Sequence, residues 1–250
     1  MNLEEYFKRI GFHGPFSKPD LETLNQVHKH HVMSIPFENL SIHCGEKITM
    51  DHELIFNKIV RSNWGGWCCE NNLLFAWVLK EMCYNPVTLG SRVYNNTINQ
   101  IFIDWTAYIA DVSFGVSSQI WYPLELVSGK DQPQSPDVFH LIQDGDLWKL
   151  EKTGRKPLVL NEAFTNSPLV HKKTSHCLQT DPKSLFTNKS ICSLQTATGF
   201  RALIGWTFSE VTYNNQDGFD VFDMKDTSVD DLITFLLISL RGGSTLTCTK

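Results

Sequence analysis

Apolar residues recur at helical spacing through the first third of the chain. Leu3, Tyr6, Phe7 and Ile10 make a short stripe, and Leu21, Leu24 and Val27 share one face of "SKPDLETLNQVHKHH". Ser17, with Asp20 three residues on, resembles a capping box at the head of that segment, and Asp51 can cap "HELIFNKIV". In "CENNLLFAWVLKEMC" the apolar positions Leu73, Leu74, Trp77, Val78 and Met82 form a broad buried face, and "YNP" at 84–86 ends the run. From Val87 the period changes. "VTLGSRVY", "IFIDWTAYIA", "VFHLIQ" and "LWKLEK" are short β-rich runs, the last two joined by the hairpin signal "DGD". Residues 160–185 read as polar and irregular. Strand patterns return in "SICSLQT", "FRALIGWTFSEV" and "FDVFDM", and Ser228 with Asp231 caps a final helix through Leu240. The end, "RGGSTLTCTK", carries no packing pattern and is expected to fray.

Composition narrows the class. A chain of 250 residues, 42% hydrophobic and 20% charged, can bury a sizeable core. Its net charge of −5 gives no basic footprint for nucleic acid. The apolar run near Leu232–Leu240 is far short of the ~20 residues that span a bilayer. The start "MNLEEYFKRIGF" has acids where a signal peptide would be basic and then apolar. A cytoplasmic protein is expected, with no membrane partner. Its seven cysteines are unevenly spaced and are expected to be free thiols.

Candidate chemistry concentrates in "RSNWGGWCCENN". Cys68 follows Gly65 and Gly66 and stands at the head of a helical run. The free N–H groups and positive end of a helix favour a thiolate, and glycines let backbone approach closely. A nucleophilic cysteine uses that geometry. A buried cysteine at a helix start would show the same pattern. Neighbouring Cys69 lies about 100° round the helix, a packed position. A cysteine nucleophile also calls for a histidine base oriented by a carboxylate. None of the nine histidines announces itself in that role. His30, His31, His43 and Cys44 match no zinc spacing, and no metal is expected.

Longer stretches carry a resemblance. "IPFENLSIHCGEKI" (35–48), "GGWCCENNLLFAWVLKEMCY" (65–84), "YIADVSFG" (108–115), "WYPLELVSGKDQPQSPDVF" (121–139) and "LFTNKSICSLQTATGFRALIGWT" (185–207) resemble the arylamine N-acetyltransferases, vertebrate type. The resemblance implies an α+β fold related to cysteine peptidases. A helical bundle (1–83) would carry the nucleophile, a β-barrel (84–165) would follow, and a shortened linker and α/β lid (166–250) would close the chain. It implies ping-pong transfer from acetyl-CoA to a small aromatic amine or hydrazine, by a monomer. Cys68 would be the nucleophile and Asp111 the carboxylate that orients the histidine. Phe37 and Phe114 would line the acceptor pocket. Taken alone, Asp111 could cap the turn after its strand, and both phenylalanines could be ordinary core.

The departures from the family concern mechanism. Counting back from Asp111, the histidine's position is Asn96, and no histidine lies between His52 and His140. Asparagine cannot serve as a base near neutral pH. Without an imidazolium between them, Asp111 would raise the thiol pKa. Trp64 stands where the family usually has arginine, which would fix neighbouring loops through charged hydrogen bonds. The loop before the Asn96 strand looks about ten residues short, and "VHKKTSHCLQTDP" about twenty short (both by comparison with the family pattern). No CoA-contacting residue can be carried over. Three readings follow: a working transferase in which His140 or another distant histidine reaches Cys68, a catalytically impaired member that binds ligands, and a thiol hydrolase.

Overall fold

The computed structural model describes residues 1–14, 18–91, 97–135, 137–153, 159–168, 176, 178–213 and 221–226. Its helical part begins with α1, Leu3–Ile10, where the Asn2 side chain accepts the Glu4 and Glu5 N–H groups and Gly11 ends the helix at φ 64°. Asp20 caps α2, Leu21–Ser34, by accepting the Thr23 N–H at 2.9 Å. Ser17, its expected partner in a capping box, lies outside the described residues. Strand β1, Phe37–Glu38, and the short helix α3, Leu40–His43, follow. Asp51 caps α4, His52–Phe56, which loosens into a π-turn at Asn57–Arg61. Helix α5, Cys68–Glu81, is the long central helix, with Leu74, Phe75, Val78 and Leu79 fully buried.

Strands β2 (Val87–Ser91), β3 (Thr97–Ile103), β4 (Thr106–Ala110), β5 (Leu124–Glu125), β6 (Gln132–Gln134), β7 (Asp137–Asp144), β8 (Leu147–Thr153) and β9 (Val159–Pro168) form one sheet. Its order is β5-β4-β3-β2-β9-β8-β7-β6, so the expected closed barrel is an open sheet. The edge strands are joined by side-chain amides instead of a ladder. Gln132 accepts the Glu125 N–H at 2.7 Å and donates to the Glu125 carbonyl at 2.9 Å. β5 spends its two residues pairing with β4, and glutamine amides supply the bonds that join it to β6.

Three sequence-based expectations change. "IFIDWTAYIA" is a hairpin and not one run: β3 turns into β4 at Asp104 and Trp105, both at positive φ without a glycine to announce it. "FRALIGWTFSEV" likewise folds back at Gly205, φ 60°, giving β11 (Gly199–Ile204) and β12 (Thr207–Thr212). The stretch read as irregular from 160 begins with β9, a strand that its composition hides and its pairing with β8 and β2 holds.

A second sheet runs β1-β10-β11-β12-β13, all antiparallel, with β10 at Ile191–Thr196 and β13 at Val221–Asp226. It recruits β1 from the N-terminal part, pairing Phe37 with Ser193 and Glu38 with Cys192. A short helix, α6 (Leu185–Asn188), precedes it. The expected final helix and the last ten residues lie outside the described residues. The main core joins α1, α2, α4 and α5 to the inner faces of both sheets. A smaller cluster brings Cys68 and Cys69 together with Trp67, Ile48, Phe186 and Ile191, with Phe37 packed against it.

Candidate active site

The loop before α5 is built by close backbone contact. Gly66 N–H donates to the Pro36 carbonyl at 3.1 Å, and the Gly66 carbonyl accepts the Glu38 N–H at 3.0 Å. A Cβ on Gly65 would stand 2.4 Å from the Pro36 oxygen, so glycine is required there for close approach. This bridge sets β1 beside the first turn of α5 and places Phe37 and Cys68 in one apolar cluster.

Cys68 is buried at the first helical position. The Cys69 Sγ lies 4.0 Å from its own Sγ. Cys69 is packed, as its helical position suggested, yet it touches the sulfur that matters. The Cys68 thiol is held well above its ordinary pKa, first by its contact with Cys69, then by burial, and also by the charge of Asp111. The half-charge of a helix terminus is outweighed by loss of water and by the neighbouring groups.

Asp111, just past β4, is buried beside this turn. Asn72, one turn along α5 from Cys68, donates to Asp111 Oδ1 at 2.8 Å and to Ser113 Oγ at 2.7 Å. Ser113 N–H also donates to Asp111 Oδ1 at 2.9 Å, and Ser113 Oγ–H donates to the Cys68 carbonyl at 3.0 Å. The Asp111 carboxylate and the helix that begins at Cys68 are thus linked through Asn72 and Ser113. Gln119 completes the loop: its Oε1 accepts the Phe114 and Gly115 N–H groups at 2.8 and 3.2 Å. Phe114 is half-buried on this loop. Phe37 faces Phe186 with ring centroids 6.2 Å apart and borders Gly115, where an added Cβ would lie 3.5 Å from its ring. Asn72, Ser113 and Gln119 were not singled out from the sequence. Only the four-residue spacing of Cys68 and Asn72, which puts them on one helix face, hinted at the first.

Asn96 lies outside the described residues. Strand β3 begins at Thr97, and its buried Asn99 donates to the Asn72 carbonyl at 3.0 Å, so the strand does run along α5. Among the described residues, His140, His28 and His31 are engaged elsewhere. His140 Nε2 is 3.2 Å from Glu151 Oε2 within the larger sheet. His28 and His31 pack edge-on against Phe75, two turns and about 10 Å along α5 from Cys68. His28 Nδ1 donates to the Trp121 carbonyl, and His31 Nδ1 meets Tyr6 OH at 2.8 Å. Among the described residues no three His, Cys, Asp or Glu side chains cluster as a metal site. None of the described helices is long and apolar enough to cross a membrane.

The loop expected to need an arginine at 64 is held by other cations. Arg9 donates to the carbonyls of Ser34, Ile59 and Trp64. Lys58 Nζ lies 3.1 Å from Glu38 Oε1 and 2.9 Å from Glu70 Oε2.

The sequence model of the N-acetyltransferase family matches residues 20–240. The chain is 47% identical over 264 residues to the arylamine N-acetyltransferase pineal gland isozyme NAT-10 of Gallus gallus, covering 92% of this chain and 91% of that relative. That stretch exceeds the 250 residues of this chain, so the relative carries segments that this chain lacks. The crystal structure of the Nocardia farcinica arylamine N-acetyltransferase matches with a TM-score of 0.85 at 26% identity, over 96% of this chain and 89% of that one. The Mycobacterium marinum arylamine N-acetyltransferase in complex with CoA matches with a TM-score of 0.85 at 22% identity, over 96% and 92%. On the family match and the extent of these identities, the chain belongs to the arylamine N-acetyltransferase family.

Proposed function

We propose that the protein transfers an acetyl group from acetyl-CoA through Cys68 to a small aromatic amine or hydrazine, acting as a cytoplasmic monomer. The observation that carries this reading is the link from Cys68 through Ser113 and Asn72 to Asp111, in a chain of this family. The M. marinum relative, solved with CoA, supports the choice of donor. In the first half-reaction the Cys68 sulfur attacks the acetyl carbonyl and the bond to the CoA sulfur breaks. The Cys68 proton ends on the departing CoA thiol. In the second, the amine nitrogen attacks the thioester, and its proton returns to the Cys68 sulfur. Each half-reaction conserves protons, so neither needs a net proton from outside the site, and what a positioned base would add is the relay between the two sulfurs. Asp111 would orient the groups around Cys68, and Phe37 and Phe114 would flank the acceptor ring.

The raised Cys68 thiol favours a second reading, a catalytically impaired member that binds such ligands. Mass spectrometry of the protein after exposure to acetyl-CoA separates the two. An acetyl adduct on the Cys68 peptide, absent in Cys68→Ala and discharged by an arylamine, is expected of the transferase. Folded protein with no adduct would leave the binding reading standing.

A further inference from the structure

Two carboxylates are buried beside the nucleophile's turn, and neither belongs to the proposed acetyl-transfer chemistry. Glu38 is 0% exposed and Glu70 is 2% exposed. Glu38 follows Phe37 on β1, and its Oε2 accepts the Leu40 N–H at 2.7 Å. Glu70 is the third residue of α5, and its Oε2 accepts the Trp67 N–H at 3.3 Å. Between them stands Lys58, on the π-turn that ends α4. Its ammonium reaches Glu70 Oε1 at 3.2 Å, Glu70 Oε2 at 2.9 Å and Glu38 Oε1 at 3.1 Å. Three elements meet at one nitrogen. A buried carboxylate is costly unless paired, and here one cation serves two.

We propose that Lys58 is a positioning residue of the transfer site, tying the strand that carries Phe37 to the turn that carries Cys68 and neutralising the charge buried there. The proposal rests on the function assigned above to Cys68 and Phe37, but its mechanical part needs only the geometry. Lys58 touches neither the thiol nor a substrate. It acts through Glu70, two residues from Cys68 in the same helical turn, and through Glu38, which is next to Phe37. Removing the ammonium leaves two buried negative charges near a sulfur that must itself become negative. The same loss frees β1 from α5 on the side that the Gly66 bridge does not hold. Burial alone would pull the Lys58 ammonium down, but Glu70 and Glu38 outweigh it, so the cation persists through the physiological range.

The test reads the thiol and not turnover, so it does not depend on acetyl transfer. The rate at which iodoacetamide alkylates Cys68 is followed against pH in the whole protein, in a Cys69→Ser background, and is read on the Cys68 peptide by mass spectrometry because Cys44 and Cys83 are exposed thiols too. Lys58→Met should move the alkylation midpoint upward by about one pH unit, the order of a single charge interaction at an effective dielectric near 20. Lys58→Arg should restore the midpoint. Lys58→Met combined with Glu70→Gln removes one charge of each sign and should also bring it back, although the packing is then further from the original. An unchanged midpoint in folded Lys58→Met would overturn the electrostatic role. If Lys58→Met fails to fold, the double variant decides: a normal midpoint there supports charge balance, and a raised one overturns it. Failure of the transferase reading would show separately, as a normal alkylation profile without any acetyl adduct.

Discussion

At Cys68 two electrostatic influences oppose each other, and their balance sets what the residue can do. The amino end of α5 favours a thiolate, while Cys69, burial and Asp111 favour the thiol. In the family pattern a histidine would stand between sulfur and carboxylate, and its positive charge would reverse the sign of the Asp111 effect. Counting back from Asp111 assigns that position to Asn96. Asn96→His is therefore expected to raise the rate of Cys68 acetylation by roughly 10²–10⁴, the usual contribution of a positioned base. Stopped-flow release of CoA from the wild-type and variant proteins measures it directly. An equal rate in both would show that the histidine's place is not residue 96, or that the step is limited by CoA binding.

The loop between the π-turn and α5 shows how one element fixes another. Gly65 packs its Cα against the Pro36 carbonyl and the Glu38 side chain, so any Cβ there must displace backbone. Gly65→Ala should push β1 from α5, breaking the paired bonds between Gly66, Pro36 and Glu38. A loss of about 2–4 kcal/mol is expected from overpacking and the broken bonds together, measurable as a lower denaturation midpoint at unchanged slope. A shift under about 0.5 kcal/mol, the range of ordinary surface substitutions, would show that the approach is less tight than the geometry states. These glycines were legible in the sequence because a glycine pair before a helix has few other uses. Cys68 and Asp111 were candidates on their motifs, and the helices were legible through their period. Lys58 was not: its partners are 20 residues back and 12 residues ahead, and nothing in a linear pattern marks a charge that will be buried. The turn at Asp104 and Trp105 was missed for a related reason. Both residues adopt positive φ, Trp105 fully exposed, and no glycine signals the reversal. The open sheet escaped too, since glutamine amides from Gln132 and Gln134 close its edge by side chain and leave no strand pattern to read.

Across the whole molecule the helical layer is locked to the sheets around two buried histidines, and this makes stability depend on acid. His28 is pulled down to about 4 by burial, and His31 is pulled well below its usual value by burial, by His28 and by Arg9. Both are neutral when folded and take up a proton near pH 6.5 when unfolded. Between those values the unfolded chain binds more protons, so stability is full above about pH 6.5 and falls as the pH drops toward 4. Each histidine contributes a slope of up to about 1.4 kcal/mol per pH unit, on the order of 3 kcal/mol for His28 over its window. The paired surface carboxylates Glu5, Asp20, Glu53 and Asp144 are lowered and lose their stabilisation only at still lower pH. Buried Glu70, raised by burial, acts in the opposite sense over part of the same window, one group against two. Urea denaturation from pH 7 to 4.5 should therefore show stability falling steadily. His28→Gln, which keeps a donor for the Trp121 carbonyl without the titration, should flatten the slope by close to one proton whatever its absolute stability. A level profile in the wild-type protein, or an unaltered slope in His28→Gln, would mean that these imidazoles gain a proton in the folded core without penalty. Their burial argues against that, because a charge there would lose its water and His31 would meet both His28 and Arg9, with no carboxylate paired to either ring among the described residues.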